Sequence, residues 1–385
     1  MMLLSRNPRL NSAAEGVNGM AVTISLCMIV KNEEEVLDRC LASAAPVADE
    51  IIIVDTGSQD ATADIARRYT DKVFSFPWQD DFAAARNFSF SKASMQYCLW
   101  LDADDVILPA DRTRFLRLKE DLDPSVDVIM LPYHIAFHPD NTPSFWYYRE
   151  RIVKNSPDYR WQGRVHEAIV PIGNVIYGSA AVSHFKLRPS DPDRNLRILE
   201  KMMNDPGDIS PRTRFYYGRE LYEHGRYPEA VGALEAFWRD SGGWIENKID
   251  ACRILSYCYH MMGQREMAFR VLFRSFMLDT PRAEICCELG RLFMEDNQFR
   301  LAAYWYETAL GCPYQADRGG FIRTECYGYL PSIQLCVCYD RLGDTKRAEA
   351  YNELAGKYQP DSQAYQANKV YFDRLRHDGD SAKKE

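Results

Sequence analysis

The sequence predicts a two-part molecule: an α/β domain over residues 21–190, then an all-α repeat domain over residues 191–378. Three observations lead there. Short apolar runs alternate with helical patterns from Thr23 to Leu101, which implies a parallel sheet flanked by helices. The apolar runs are continuous rather than alternating, as strands buried on both faces require. From about Asn195 the pattern is helical and repeats itself, and 385 residues are enough for two domains.

Taken in order, residues 23–30 read as a buried strand and 33–44 as a helix with Asn32 as its N-cap. Glu50–Asp55 is a second strand, followed by a helix over 60–69. A short strand over 72–76, a helix over 82–93 and a strand over 97–101 complete the alternation. After Pro109 the pattern changes. Residues 126–135, 145–154 and 175–182 are rich in β-branched and aromatic side chains and read as the antiparallel part of a mixed sheet. Pro189 to Pro192 reads as a linker, and residues 1–20 and 379–385 as loose tails.

The helical part shows one pattern four times. Gly218, Leu221, Gly225, Ala230 and Leu234 begin it; Leu255, Tyr259, Gly263 and Ala268 repeat it. Leu289, Gly290, Phe293 and Ala302 follow, then Leu335, Tyr339, Gly343 and Ala348. The turn positions Gly225, Gly263, Asn297 and Gly343 are 38, 34 and 46 residues apart. A 34-residue helix–turn–helix period is that of tetratricopeptide repeats, and the widest gap reads as an insertion near 311–328. Stacked helix pairs of this kind offer a surface for an extended peptide or protein partner, and a homo-oligomer is compatible with them.

Composition narrows the functional classes. A net charge of −8 argues against a nucleic-acid binder. Eleven scattered cysteines without a C-x-x-C read as reduced, packed thiols of a cytoplasmic chain, not as disulfides or a zinc site. No run approaches the roughly 18 apolar residues of a membrane span.

The motif with most chemistry in it is Asp102-Ala103-Asp104, which closes the apolar run Tyr97-Cys98-Leu99-Trp100-Leu101. Two carboxylates at i and i+2, at the carboxyl edge of an α/β sheet, suit a divalent cation shared with substrate phosphates. Three further elements meet at that edge: Val30-Lys31-Asn32-Glu33-Glu34, the run from Asp55 to Thr62, and Phe82-Ala83-Ala84-Ala85-Arg86-Asn87.

Together these four motifs, in this order, resemble the family 2 glycosyltransferases over roughly residues 23–190. The resemblance implies the GT-A fold, a Rossmann-like mixed sheet, and a nucleotide-sugar donor, UDP-linked. It also implies Mn2+ or Mg2+ as cofactor. Some bacterial members carry tetratricopeptide domains and glycosylate peptides or proteins, which makes a peptide or protein the expected acceptor.

On this reading Val30, Glu33, Asp55, Arg86, Asn87, Asp102 and Asp104 bind the nucleotide sugar. Asp55 meets the base or caps its own turn. Glu33 takes the ribose or sits as a first-turn helix carboxylate. Arg86 grips the base or the diphosphate. Asn87 orients the nucleotide or caps. Asp104, Asp102 and His184 are the expected metal ligands, with Lys186 near a phosphate. Inverting transfer needs a base for the acceptor's proton. In Trp161-Gln162-Gly163-Arg164-Val165-His166-Glu167, Glu167 matches that base best, His166 is its rival and Asp105 a third candidate. Trp161, Trp146 and Tyr147 stack on a sugar or pack. Two other functions stay open: synthesis of a polysaccharide or lipid-linked surface glycan, and a non-catalytic repeat scaffold.

Overall fold

The computed structural model describes residues 21–137, 141–187, 191–205, 207, 209–315 and 319–381. The expected tail 1–20, Pro189 of the expected linker and the last four residues lie outside them.

The α/β domain is built on one nine-stranded sheet. Its first half is parallel: β1 (Ile24–Val30), β2 (Glu50–Asp55), β3 (Val73–Ser75) and β4 (Tyr97–Trp100) lie in the order β3-β2-β1-β4. The helices between them are α1 (Leu37–Ala44), α2 (Thr62–Arg67) and α3 (Phe82–Phe90). Six of the seven residues of β1 are buried, as its unbroken apolar run requires. Next along the chain come β5 (Asp105–Val106), α4 (Pro109–Asp121), β6 (Val128–Phe137), β7 (Pro143–Lys154), β8 (Val175–Tyr177) and β9 (Val182–His184). β7 joins β4 antiparallel, and β6 joins β7 antiparallel.

The structure corrects several expected boundaries. The first helix starts at Leu37, not at residue 33. Asn32 sits at φ 55°, a left-handed position that cannot cap a helix, and its side chain accepts the backbone N–H of Gln59 instead. The expected strand over 175–182 is two strands, β8 and β9, and both run parallel to β6 rather than antiparallel. They part at Gly178, where a Cβ would lie 2.6 Å from the Leu131 side chain. α4 and β5 were not expected.

The second domain is a stack of helix pairs. α5 (Arg194–Asn204) leads into α6 (Pro211–Glu223) with α7 (Tyr227–Arg239), and α8 (Ile245–Met261) with α9 (Arg265–Arg274). Then come α10 (Ala283–Glu295) with α11 (Phe299–Gly311), α12 (Tyr329–Arg341) with α13 (Thr345–Tyr358), and a final α14 (Gln363–Ser381), which runs past the expected end at 378. The four expected turn residues all have positive φ: Gly225 71°, Gly263 72°, Asn297 56° and Gly343 79°. Each is followed by the same N–H···O=C bond five residues back: Arg226 to Leu221, Gln264 to Tyr259, Gln298 to Phe293 and Asp344 to Tyr339. That bond ends a helix on a left-handed residue and fixes the reversal. Small residues recur where paired helices cross. A Cβ on Gly218 would lie 2.6 Å from Leu234, and one on Gly290 2.7 Å from Tyr306. The eleven cysteines are free thiols, all but Cys312 buried.

The two domains share a core. Val165, Ile198 and Leu199 are buried together with Trp78, Phe82, Met202, Tyr216 and Tyr217 packed around them. A truncation after Asp191 would strip Ile198, Leu199, Met202, Tyr216 and Tyr217 from that cluster and expose the rest. Among the described residues no helix is long and apolar enough to cross a membrane.

Candidate functional site

A cleft of about 760 Å³ lies at the carboxyl edge of β1, β2 and β4. Strands of a parallel sheet deliver their following loops to one edge, so residues far apart in sequence converge there. Val30, Glu33, Arg86, Asp102, Asp104, His166, Glu167 and His184 all line it. Asp55 and Asn87 do not. Asp55 Oδ1 accepts from the backbone of Ser58 at 2.9 Å and its hydroxyl at 2.6 Å, so it shapes the loop after β2. Asn87 clamps Trp161, donating to its carbonyl at 3.0 Å and accepting its N–H at 2.9 Å.

Arg86 is the pivot of one side. α3 carries it inward, started by Asp81, whose side chain accepts the Ala84 N–H. The guanidinium lies over the rings of Trp100 and Trp161, at 5.1 and 4.7 Å. Its Nη2 donates to Asp102 and its Nε to Glu167, both at 2.7 Å. Its Nη1 is buried without a hydrogen-bond partner among the described residues. Burial alone would raise the Asp102 carboxyl, but the charge of Arg86, then of Arg151, outweighs it and brings it down to about 2.

Asp104, Asp105 and His184 form the second side. One ligand atom from each lies within 4.8 Å of the others, a grouping able to hold a metal ion. It contains Asp104 and His184 of the expected ligands. Its third member is Asp105, while Asp102 is turned to Arg86. The β5–β9 pairing sets Asp105 opposite His184. His184 Nδ1 is 3.3 Å from Asp104 Oδ1 and 3.2 Å from Asp105 Oδ1. Burial would lower the imidazole, but the hydrogen bonds it donates to Asp104 and Asp105 outweigh it and push it up to about 10. A cation bound by this set would take that proton's place.

Neighbouring Asp104 and Asp105 differ. Asp104 is partly exposed to the cleft. Asp105 is fully buried and already holds Arg151 at 3.0 Å, the Tyr133 hydroxyl at 3.0 Å and the Asp102 N–H at 3.0 Å. It is an anchor beneath the site, with no path to an acceptor's proton.

His166 faces the repeats. Its Nε2 is 2.8 Å from Glu220, its ring stacks on Tyr216 at 4.2 Å, and its carbonyl accepts from Arg212 at 2.8 Å. Trp161 is buried against Trp100 and is packing. Trp146 and Tyr147 belong to an aromatic cluster of the β6–β7 hairpin, where Tyr147 meets Tyr133.

Sequence reasoning missed Arg149, Trp78 and Arg194, which also line the cleft. Arg149 was findable: Arg149-Glu150-Arg151 is a charged triplet inside an aromatic, β-branched strand. Arg194 was not. It comes from the second domain and lies over the Phe82 ring at 4.8 Å, a tertiary contact with no local signal.

The comparisons with known proteins bear on this same region. The model of "Glycosyl transferase family 2" matches residues 25–169. The lipopolysaccharide core biosynthesis glycosyltransferase LpsC of Rhizobium meliloti is 33% identical over 214 residues, covering 50% of this chain and 75% of that protein. The SPbeta prophage-derived glycosyltransferase SunS of Bacillus subtilis is 25% identical over 228 residues, 55% of this chain and 52% of that protein. A TPR repeat-containing protein of Synechococcus elongatus is 38% identical over 148 residues, 38% of this chain and 35% of that protein. The chain thus spans between a third and a half of the length of the last two. Since the family model falls on the sheet that carries the cleft, and three quarters of one glycosyltransferase is matched, the chain belongs to glycosyl transferase family 2.

Proposed function

We propose that the chain is an inverting glycosyltransferase that uses Mn2+ or Mg2+ to move a sugar from a nucleotide-diphosphate donor, UDP-linked, onto a peptide or protein. The observation that carries this reading is the Asp104–Asp105–His184 grouping in the same cleft as Glu167. A carboxylate and an imidazole that face the cleft suit a divalent cation whose remaining ligands are substrate phosphates. Asp104 and His184 would hold it, with Asp105 orienting His184 from below. When bound, the cation supplies Lewis-acid neutralisation of the charge that grows on the diphosphate as the sugar leaves.

The remaining roles fall to the chain's own groups. Val30 and Glu33 wall the nucleotide end of the cleft. Arg86 offers its buried Nη1 to a phosphate while its other nitrogens fix Asp102 and Glu167. Glu167 has Oε1 on Arg86, so Oε2 takes the acceptor's proton as the acceptor attacks the sugar carbon opposite the departing phosphate. His166 is engaged by Glu220 and Tyr216, which supports Glu167 as the base.

The peptide reading of the acceptor is supported by the repeats, which pack against the cleft through α5 and α6. The resemblance to a lipopolysaccharide core enzyme favours a second reading, a surface glycan acceptor. The test is release of nucleoside diphosphate from UDP-glucose and related donors by purified protein, with Mn2+ or Mg2+ and without. Slow hydrolysis that needs the cation supports the reading; full turnover in excess EDTA contradicts it. Transfer of labelled sugar to a peptide library or to purified glycan then separates the two acceptors.

A further inference from the structure

The connection between α11 and α12 does not stay beside the helices it joins. It crosses the face formed by the first helices of the pairs and reaches α6, about a hundred residues earlier in the chain. Phe321 lies there, 5.9 Å from the Phe215 ring and 6.5 Å from the Tyr216 ring, with the Arg219 guanidinium 4.1 Å over it. Gly319 and Gly320 let the backbone come close. A Cβ on Gly319 would lie 3.5 Å from Trp244, and one on Gly320 2.9 Å from Glu246. Beyond Phe321, the buried Glu284 of α10 holds the segment with both oxygens. Oε1 accepts the backbone N–H of Arg323 at 2.8 Å, and Oε2 accepts the Tyr327 hydroxyl at 3.0 Å. Glu288 on the same helix lies 3.8 Å from the Arg323 guanidinium.

These are the contacts of a bound peptide made by the chain with itself: a half-exposed aromatic side chain against two rings and a guanidinium, and a backbone amide on a buried carboxylate, while the Arg323 side chain pairs mainly with Glu325 of its own segment at 2.9 Å. We propose that the first-helix face of the repeats is a peptide groove which the chain fills with its own residues 319–323. The competing partner is an extended peptide presenting an aromatic residue and, two positions later, a backbone N–H to Glu284. The buried Glu284 carboxylate needs donors from whatever covers it, and an extended peptide supplies a backbone N–H at the spacing that residues 321 and 323 show. One of the two rings, Tyr216, also stacks on the ring of His166, next to Glu167. Occupancy of the groove is therefore one ring away from the cleft. The inference does not depend on which acceptor the enzyme modifies, because binding is read without donor or transfer.

A tethered segment competes at about millimolar effective concentration, so a free copy with an affinity of about 100 μM binds the filled groove about tenfold more weakly than a vacated one. The experiment uses full-length protein and a labelled synthetic peptide with the sequence of residues 319–327, followed by fluorescence anisotropy. Phe321→Ala, at a partly exposed position, should bind that peptide about tenfold more tightly than wild type. The same peptide with alanine at the Phe321 position should not bind. Equal affinity for the two proteins, or no binding to either, overturns the proposal. On wild type alone, millimolar peptide should speed hydrogen exchange at the Arg323 amide, and an unchanged rate there also overturns it.

Discussion

Glu50 and Asp102 stand at opposite ends of the same parallel sheet, and both carboxyls are held down to about 2. The means differ. Glu50, at the start of β2, is buried, a cost outweighed by an ion pair with Lys72 and hydrogen bonds from Ser25 and Ser94. All of its partners are on the domain itself. Asp102, just past β4, depends on Arg86, a cation it shares with Glu167, and it faces the cleft. One end of the sheet is closed by a satisfied charge network; at the other, charged groups are held in place with a face left toward a ligand. A carboxylate's depressed pKa therefore does not identify a site. What identifies it is the cleft beside it.

Predictions follow from that contrast. The largest effect should be Glu167→Gln, which removes the base and lowers turnover by roughly 10²–10⁴-fold while donor affinity is nearly kept. If Glu167→Gln keeps wild-type turnover in steady-state kinetics and His166→Ala does not, the base is His166. Arg151→Met strips the fully buried Asp105 of its counter-charge and should cost about 3–5 kcal/mol in urea unfolding, whether or not metal is present. A stable Arg151→Met protein that loses only activity would make Asp105 part of the cleft rather than its foundation. Asp104→Asn should leave the fold unchanged. It should weaken metal-dependent donor hydrolysis by at least the roughly 10–100-fold that loss of an outer partner costs.

Glu50→Gln should be the mildest, at about 1–2 kcal/mol near neutral pH. The sign follows from the depressed value. Glu50's contribution is complete above its ordinary value of 4.5 and is lost as pH falls toward about 2. Wild type should lose stability through that window faster than the variant. Parallel stability curves for the two would remove Glu50 from the account.

Much of this was legible in the sequence, for identifiable reasons. The central strands of the parallel half, β1 and β4, are buried on both faces, so they appear as unbroken apolar runs. The repeat turns were legible because four positive-φ positions need Gly or Asn. α4 was not, because only Asp111 and Phe115 of its thirteen residues are buried and no apolar stripe marks it. In the cleft, the motif loops after the strands were found because their chemistry is local. The pairing of Asp102 with Arg86, and the choice of Asp105 to stand against His184, depend on side-chain directions that no spacing records. His166 and Glu167 are adjacent in sequence and both border the cleft, yet the His166 ring is held by Glu220 of the repeats and the Glu167 carboxylate by Arg86.

The central claim is that Asp104 and its neighbours hold a cation which in turn holds the donor. Thermal melting of wild type and Asp104→Asn with UDP-sugars, Mn2+, both or neither tests it directly. A ligand at a hundred times its Kd stabilises the native state by about 2.7 kcal/mol, a rise on the order of 5 °C for a protein of this size. The account predicts that rise in wild type only when donor and Mn2+ are both present, and its loss in Asp104→Asn. The same rise without Mn2+, or an undiminished rise in the variant, would contradict it.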